Sequence, residues 1–241
     1  MSAILFCCPF AGAGASFYRS WAPPANSGIR IVPVQLPGRE EQFTRPAHQR
    51  MEEAAADVLD QVQAAAAPDD DLALFGHSFG AALAFDVARR LVARGGHRLV
   101  RLFVSGSAEP LTPLEDDSSG LRDDEFVARV AEIAGFSHPA LADPQLRQIL
   151  LPALRADVHM RESYRPGAVA PLPVPVTAVR GETDHLVSAE DCAGWARVTS
   201  VGCDVREVPG DHLYLAEDPG PLLELIAEVL SGAGLPGYGT T

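Results

Sequence analysis

Five residues within LALFGHSFGAALAFDVARR (residues 72–90) have the types and spacing needed for nucleophilic catalysis: Gly76, His77, Ser78, Phe79 and Gly80. An apolar run leads into them and an Ala-rich, helix-forming run follows. A chain that reverses from strand to helix within one residue forces that residue into strained backbone space. Glycines two positions to either side let neighbouring segments approach without a Cβ clash. The hydroxyl of Ser78 is then pushed out at the strand's C-terminal end, where the dipole of the following helix points. A plain helix N-cap would explain the serine but not the paired glycines.

A serine hydroxyl is a weak nucleophile until a base takes its proton. The chain has seven histidines. His48 and His97 fall in polar connections, and His138 and His159 fall in a helical insertion described below. The side chain of His77 should point away from the serine hydroxyl at a strand end, and His185 follows an acid of interest. His212, in VPGDHLYLAEDP, comes after the last predicted strand and before the last helix, where the order Ser, Asp, His places the base. A carboxylate after the penultimate strand must orient that imidazole and stabilise its protonated form. VTAVRGETDHLVS offers Glu182 and Asp184, and Asp184 is preferred because two further residues of turn let it project towards His212. Backbone N–H groups must also face the developing oxyanion. Phe79, next to the nucleophile, supplies one, and Ala11 in the small-residue loop PFAGAGASFY is the expected second donor.

These groups need a scaffold, and the hydrophobic pattern describes one. Near-continuous apolar, β-branched runs at 4–8, 29–36, 72–75, 99–105, 174–179 and 203–208 read as strands of a parallel sheet covered on both faces. Helix-like stretches at 50–66, 79–93, 189–198 and 217–230 alternate with them, which predicts a doubly wound α/β sheet in a single domain spanning 1–241. The interval 107–165 breaks the rhythm. It opens with EPLTPLEDDSSG and continues with two predicted helices, 123–134 and 143–163. An insertion of that length predicts a helical lid over one end of the sheet. The Gly-rich tail SGAGLPGYGTT is expected to fray.

Composition narrows the partners. With 19 basic and 32 acidic residues the formal net charge is −13, which argues against nucleic acid. No apolar run is long enough to span a membrane, and no basic segment precedes the first apolar run as a secretory signal would require. Cys7 and Cys8 should point to opposite faces of a strand, so they cannot form a metal-ligand pair. Together with Cys192 and Cys203 they read as buried free thiols of a cytoplasmic protein. The loop after the first strand lacks the residues of a phosphate-binding loop.

The chain resembles the stand-alone type II thioesterases of polyketide and nonribosomal peptide synthesis, within the α/β-hydrolase superfamily. The resemblance is carried by PFAGAGASFYRSWA (9–22), VQLPGREEQF (34–43), the Ser78 segment, LFVSGSAEP (102–110), LLPALRADVHMRESY (150–164), GETDHLVS (181–188) and PGDHLYL (209–215). QLPGRE and LRAD are its most specific parts, since general esterases do not usually carry them. The resemblance implies a Ser78–His212–Asp184 triad, oxyanion donors at Ala11 and Phe79, and no metal or organic cofactor. It also implies a substrate: an acyl group held as a thioester on the phosphopantetheine of an acyl or peptidyl carrier protein. Family members usually show Ala-Gly-Gly-Ser where this chain has Ala11-Gly12-Ala13-Gly14, so if the second glycine needs a left-handed backbone, either Ala13 is strained or the loop shifts by one residue. Triad and elbow alone would equally serve a carboxylesterase or lipase acting on oxygen esters. Carrier proteins are typically acidic, so docking on this acidic chain calls for a local basic patch, for which Arg89, Arg90, Arg94, Arg98 and Arg101 are candidates.

Overall fold

The computed structural model describes residues 2–113, 118–134 and 139–232; His138 and the Gly-rich tail beyond 232 lie outside them. In chain order the elements are β1 (Ala3–Cys8), α1 (Ser16–Arg19), β2 (Ile29–Pro33), α2 (Met51–Ala65), β3 (Asp71–His77), α3 (Phe79–Arg94), β4 (Arg98–Ser105), α4 (Asp123–Ala134), α5 (Pro144–Ser163), β5 (Val176–Gly181), α6 (Ala189–Ala193), β6 (Cys203–Val208), α7 (Tyr214–Glu217) and α8 (Gly220–Ser231). The strands form one sheet in the order β2-β1-β3-β4-β5-β6, and every pairing is parallel.

Alternation along the strands sorts the core into two layers. Phe6, Cys8, Leu72, Leu74, Leu102 and Val104 face α2, α3 and Trp195. Leu5, Cys7, Ala73, Phe75, Phe103 and Val179 face Tyr18, Trp21 and the apolar stripe of α8. Burying each such large side chain contributes roughly 1.5–3 kcal/mol. Cys7 and Cys8 thus point to opposite faces, and all four cysteines are free thiols. Burial pushes the thiols of Cys8 and Cys192 up to about 12, which leaves them inert as nucleophiles. No helix among the described residues is long and apolar enough to cross a membrane.

The chain leaves β1 for β2 on one side and returns to β3 on the other. Strand order therefore reverses between β1 and β3, and the crevice at the C-terminal ends of these two strands is where an open α/β sheet holds its ligand. The loop holding Ala11 follows β1 and Ser78 follows β3, so this reversal brings the two candidate segments side by side.

Three expected elements end differently. The strand expected over 29–36 stops at Pro33, because the side-chain amide of Gln61 takes over the backbone of Gln35: Gln61 Oε1 accepts from Gln35 N–H (2.9 Å) and Gln61 Nε2 donates to Gln35 O (2.8 Å). The helix expected over 189–198 tightens after Ala193 into a 3₁₀ turn, Gly194–Val198. The one expected over 217–230 is interrupted by Asp218-Pro219, and α8 restarts at Gly220.

In the interval 107–165, α5 is capped by Asp143, whose carboxylate accepts from the N–H groups of Gln145 and Leu146. Phe126 of α4 packs with Leu151 and Leu154 of α5, and Ala11 touches this cluster. Farther along α5, Met160 and Tyr164 join the main core. The C-terminal half of α5 is therefore part of the scaffold, whereas Leu146 and Ile149 at its other end are exposed.

Candidate active site

Ser78 adopts φ 53° and ψ −118°, outside the regions open to ordinary L-residues. The surrounding structure holds it there: Ser78 N–H donates to Ser105 O (2.8 Å) and Ser78 O accepts from Ala81 N–H (3.0 Å). The flanking glycines do separate work. A Cβ on Gly76 would lie 1.9 Å from Gly80 O, so Gly76 makes room for the first turn of α3. A Cβ on Gly80 would lie 2.6 Å from Pro9 O and 2.7 Å from Cys8 O, so Gly80 lets α3 press against the end of β1. The second contact brings the loop after β1 up to the serine.

That loop opens with a tight turn. Ala13 N–H donates to Phe10 O (3.0 Å), and Gly12 at the third position has φ 78°, as a type II turn requires. The left-handed residue is thus Gly12, and Ala13 is not among the positive-φ positions, so the departure from Ala-Gly-Gly-Ser introduces no strain at 13. A trans peptide points its N–H opposite its C=O. With Phe10 O tied into the turn, the Ala11 N–H faces outward. Among the described residues neither this N–H nor that of Phe79 donates to a protein acceptor.

Beyond the ends of β5 and β6, His212 and Asp184 meet. His212 Nδ1 lies 2.9 Å from Asp184 Oδ2, with the carboxylate fully buried and the imidazole nearly so. Asp184 Oδ1 accepts from the N–H groups of Leu186 (2.9 Å) and Val187 (3.1 Å). Burial by itself would raise the Asp184 carboxyl. The hydrogen bond and charge of His212, with the two amides, outweigh it and hold the group below its ordinary value, so it stays ionised. Glu182, the other carboxylate of this turn, is exposed to solvent. Elsewhere His48 pairs with Asp57 and His159 faces Ser119. Among the described residues Ser78 Oγ has no hydrogen bond, to His212 or to any other group. Contacts of this kind commonly tighten only when substrate is bound.

The ring of His77 packs against that of His212, with the two centroids 4.9 Å apart, and is buried. His77 Nδ1 lies 3.0 Å from Ser105 Oγ, which in turn is 2.7 Å from the Tyr214 hydroxyl, while His77 Nε2 is buried without a partner. Burial, reinforced by the neighbouring His212, holds His77 well below its ordinary value of 6.5, so it is neutral in the folded protein. The unfolded chain takes up a proton here below about pH 6.5, and the folded chain does not. Stability therefore falls on acidification, by up to about 1.4 kcal/mol per pH unit from this group. Asparagine can keep a polar atom near Nδ1 without titrating. His77→Asn should thus flatten the dependence of urea-unfolding stability on pH between 6.5 and 5, and parallel wild-type and variant curves would contradict this.

The arginine cluster is partly engaged within the protein, with Arg94 exposed. Arg89 and Arg90 both pair with the buried Asp86, Arg98 pairs with Asp71, and Arg101 is buried beside Thr177. Three of the five candidate charges, Arg89, Arg90 and Arg98, are thus paired with acids. Two charged residues of the family-specific segments, Arg39 and Asp157, instead form a buried ion pair beside the Gly12 turn. Asp157 follows Leu150 and Leu154 on an apolar helical stripe, which marks it as a buried charge needing a partner; nothing local in sequence points to Arg39 as that partner.

A family model described as a thioesterase domain matches residues 3–230. The chain is 31% identical over 227 residues to the gramicidin S biosynthesis protein GrsT of Aneurinibacillus migulanus, covering 94% of this chain and 88% of that one. It is 35% identical over 214 residues to Thioesterase PikA5 of Streptomyces venezuelae, with 88% and 75% covered. Among solved structures it is similar to YbtT, a type II thioesterase of the yersiniabactin pathway, with a TM-score of 0.86, 30% identity, and 96% and 94% of the two chains covered. It is also similar to BorB, the type II thioesterase of the borrelidin cluster, with a TM-score of 0.83, 31% identity, and coverage of 95% and 93%.

Proposed function

The chain belongs to the thioesterase family, and from that premise we propose that it hydrolyses acyl thioesters from the phosphopantetheine arm of acyl or peptidyl carrier proteins. Its role in this reading is to clear aberrant or stalled acyl groups during polyketide or nonribosomal peptide assembly. Ser78 is the nucleophile, His212 the base, Asp184 the residue that orients it, and Ala11 and Phe79 the oxyanion donors. The observations that support these roles are the buried His212–Asp184 pair and a serine held at positive φ.

Ser78 Oγ attacks the thioester carbonyl as His212 Nε2 takes its proton. Asp184, bonded to Nδ1, stabilises the imidazolium that forms. The carbonyl oxygen becomes an oxyanion held by the Ala11 and Phe79 N–H groups, neither of which has a protein acceptor to lose. Collapse of the adduct breaks the C–S bond, and the phosphopantetheine sulfur leaves with the proton from His212. Water, deprotonated by the same imidazole, then attacks the acyl-serine, and the carboxylic acid departs as Ser78 recovers its proton.

The interval 107–165 is assigned as the lid within a single domain, with its α4 side and the exposed start of α5 as the parts that face substrate. Cytoplasmic residence belongs to the same proposal and is supported by the four unpaired cysteines. The test compares kcat/KM for an acyl-carrier protein, the matching acyl-pantetheine thioester and the matching oxygen ester. At least a tenfold preference for both thioesters is expected, and faster turnover of the oxygen ester would favour a carboxylesterase instead.

A further inference from the structure

We propose that the buried Arg39–Asp157 ion pair is a positioning device for the oxyanion turn, and that through it α5 is part of the catalytic frame. The proposal rests on the assignment of Ala11 as an oxyanion donor.

The pair joins the two most specific segments of the sequence across 118 residues. Arg39 Nη1 and Nη2 donate to Asp157 Oδ2 (2.6 Å) and Oδ1 (2.8 Å), and both side chains are shut off from solvent, at 5% and 0% exposed. Each partner also holds the turn. Asp157 Oδ2 accepts from Gly12 N–H (2.8 Å), and Arg39 Nη1 donates to Ala13 O (2.9 Å). These bonds fall on successive peptide units. The Phe10–Ala11 and Gly12–Ala13 peptides are fixed by the turn's own hydrogen bond, the Ala11–Gly12 peptide between them by Asp157, and the Ala13–Gly14 peptide by Arg39. The middle peptide is the one whose rotation separates a type I from a type II turn. A carboxylate facing its N–H selects the type II orientation and, with Arg39 on Ala13 O, anchors the turn as a unit, so the ion pair sets where the outward Ala11 N–H is held.

The next residue along, Glu40, holds the other end of the loop. Its carboxylate accepts from Ser16 N–H and Ser16 Oγ at the start of α1. Asp157 is braced in turn. One turn before it, Leu154 packs on Gly12, where an added Cβ would lie 3.0 Å from Leu154 Cδ1. Two turns after it, the Tyr164 hydroxyl donates to Asp86 Oδ1 (2.7 Å) in α3, the helix that starts at the nucleophile. The second half of α5 thereby bridges the two segments from which the oxyanion donors come.

Stability alone does not explain a pair buried this deeply. Replacing both members of a buried ion pair with apolar groups of similar volume is often neutral or stabilising, whereas removing one member strands a charge. Positioning and stability can therefore be separated by changing both residues together.

In the full-length chain, Arg39→Met with Asp157→Leu should unfold within a few degrees of wild type or above it. Its kcat for an acyl-pantetheine thioester should fall roughly 10²–10³-fold, the loss that follows from misplacing one oxyanion donor. Arg39→Lys keeps the charges but replaces the two-pronged contact with a point charge, and covers the case in which the double variant fails to fold. It should lower kcat roughly tenfold or more, with the lowered effect again in kcat and not KM. Affinity for an alkyl boronic acid, which forms a tetrahedral adduct on the serine, should fall in step with kcat. Affinity for the acyl-pantetheine amide, a ground-state mimic, should stay within about threefold.

Variants with kcat within threefold of wild type would overturn the proposal, as would equal losses of affinity for boronate and amide. Failure of the wild-type boronate adduct to depend on Ser78 would instead overturn the proposed serine mechanism, and with it the oxyanion site to which Ala11 is assigned.

Discussion

Ser78→Ala is expected to lower kcat for an acyl-carrier thioester by roughly a millionfold, the loss typical when a hydrolase of this kind is deprived of its nucleophile. Other nucleophilic side chains are poorly placed to substitute. Cys7 and Cys8 are buried and their thiols are raised by burial, and Thr183 lies on an exposed turn bonded to Gly210 O. Alanine fits the space left by the hydroxyl and keeps the backbone bonds of residue 78 to Ser105 and Ala81, so binding of the acyl carrier should persist. Ser78→Gly separates catalysis from strain. A non-glycine residue at φ 53° stores on the order of 1–3 kcal/mol, part of which glycine returns while adding freedom to the unfolded chain. The glycine variant should be as inactive as the alanine one yet more stable by about 1 kcal/mol, measured by urea unfolding. A serine variant that keeps more than about one hundredth of wild-type activity would remove Ser78 from the mechanism.

The second large effect concerns the group behind the base. Asp184→Asn should lower kcat roughly 10⁴-fold with little change in KM. The asparagine oxygen can still accept from Leu186 and Val187, so the turn keeps its form. Its amide would then donate towards His212 Nδ1, which fixes the tautomer that cannot accept the serine proton at Nε2. The buried site also loses the negative charge that offsets the imidazolium. Glu182→Gln, on the same turn but in solvent, should stay within about threefold of wild type. Comparable losses in both variants would mean that turn geometry, and not the His212 contact, is what matters.

These groups were legible because each is announced locally. The glycines around Ser78 sit next to it in sequence, and His212 and Asp184 each follow a strand whose apolar run marks its end. Asp184 and Glu182 could be separated only by reach, and the fold separates them by burial. What stayed hidden was long-range or involved a charge cancelled nearby. Arg39 and Asp157 lie far apart in sequence, and only the reversal of strand order beside β1 brings their segments to one turn. The arginines after α3's midpoint looked like a docking patch because they were counted without Asp86, which lies three and four residues before Arg89 and Arg90 and is buried. The glycine pattern of the loop after β1 left either strain at Ala13 or a shifted loop open, and the turn places its left-handed residue at Gly12.

The most direct test of the mechanism is rapid-quench intact-mass measurement on the enzyme mixed with stoichiometric acyl-carrier protein, followed by peptide mapping. Wild-type enzyme should gain the mass of the acyl group, localised to the peptide containing Ser78, and then lose it as the free acid appears. His212→Gln should form that adduct far more slowly, and Ser78→Ala should not form it at all. Release of the acid by wild-type enzyme with the acyl group on another residue, or undiminished release by Ser78→Ala, would contradict the proposal that Ser78 receives the acyl group from its carrier.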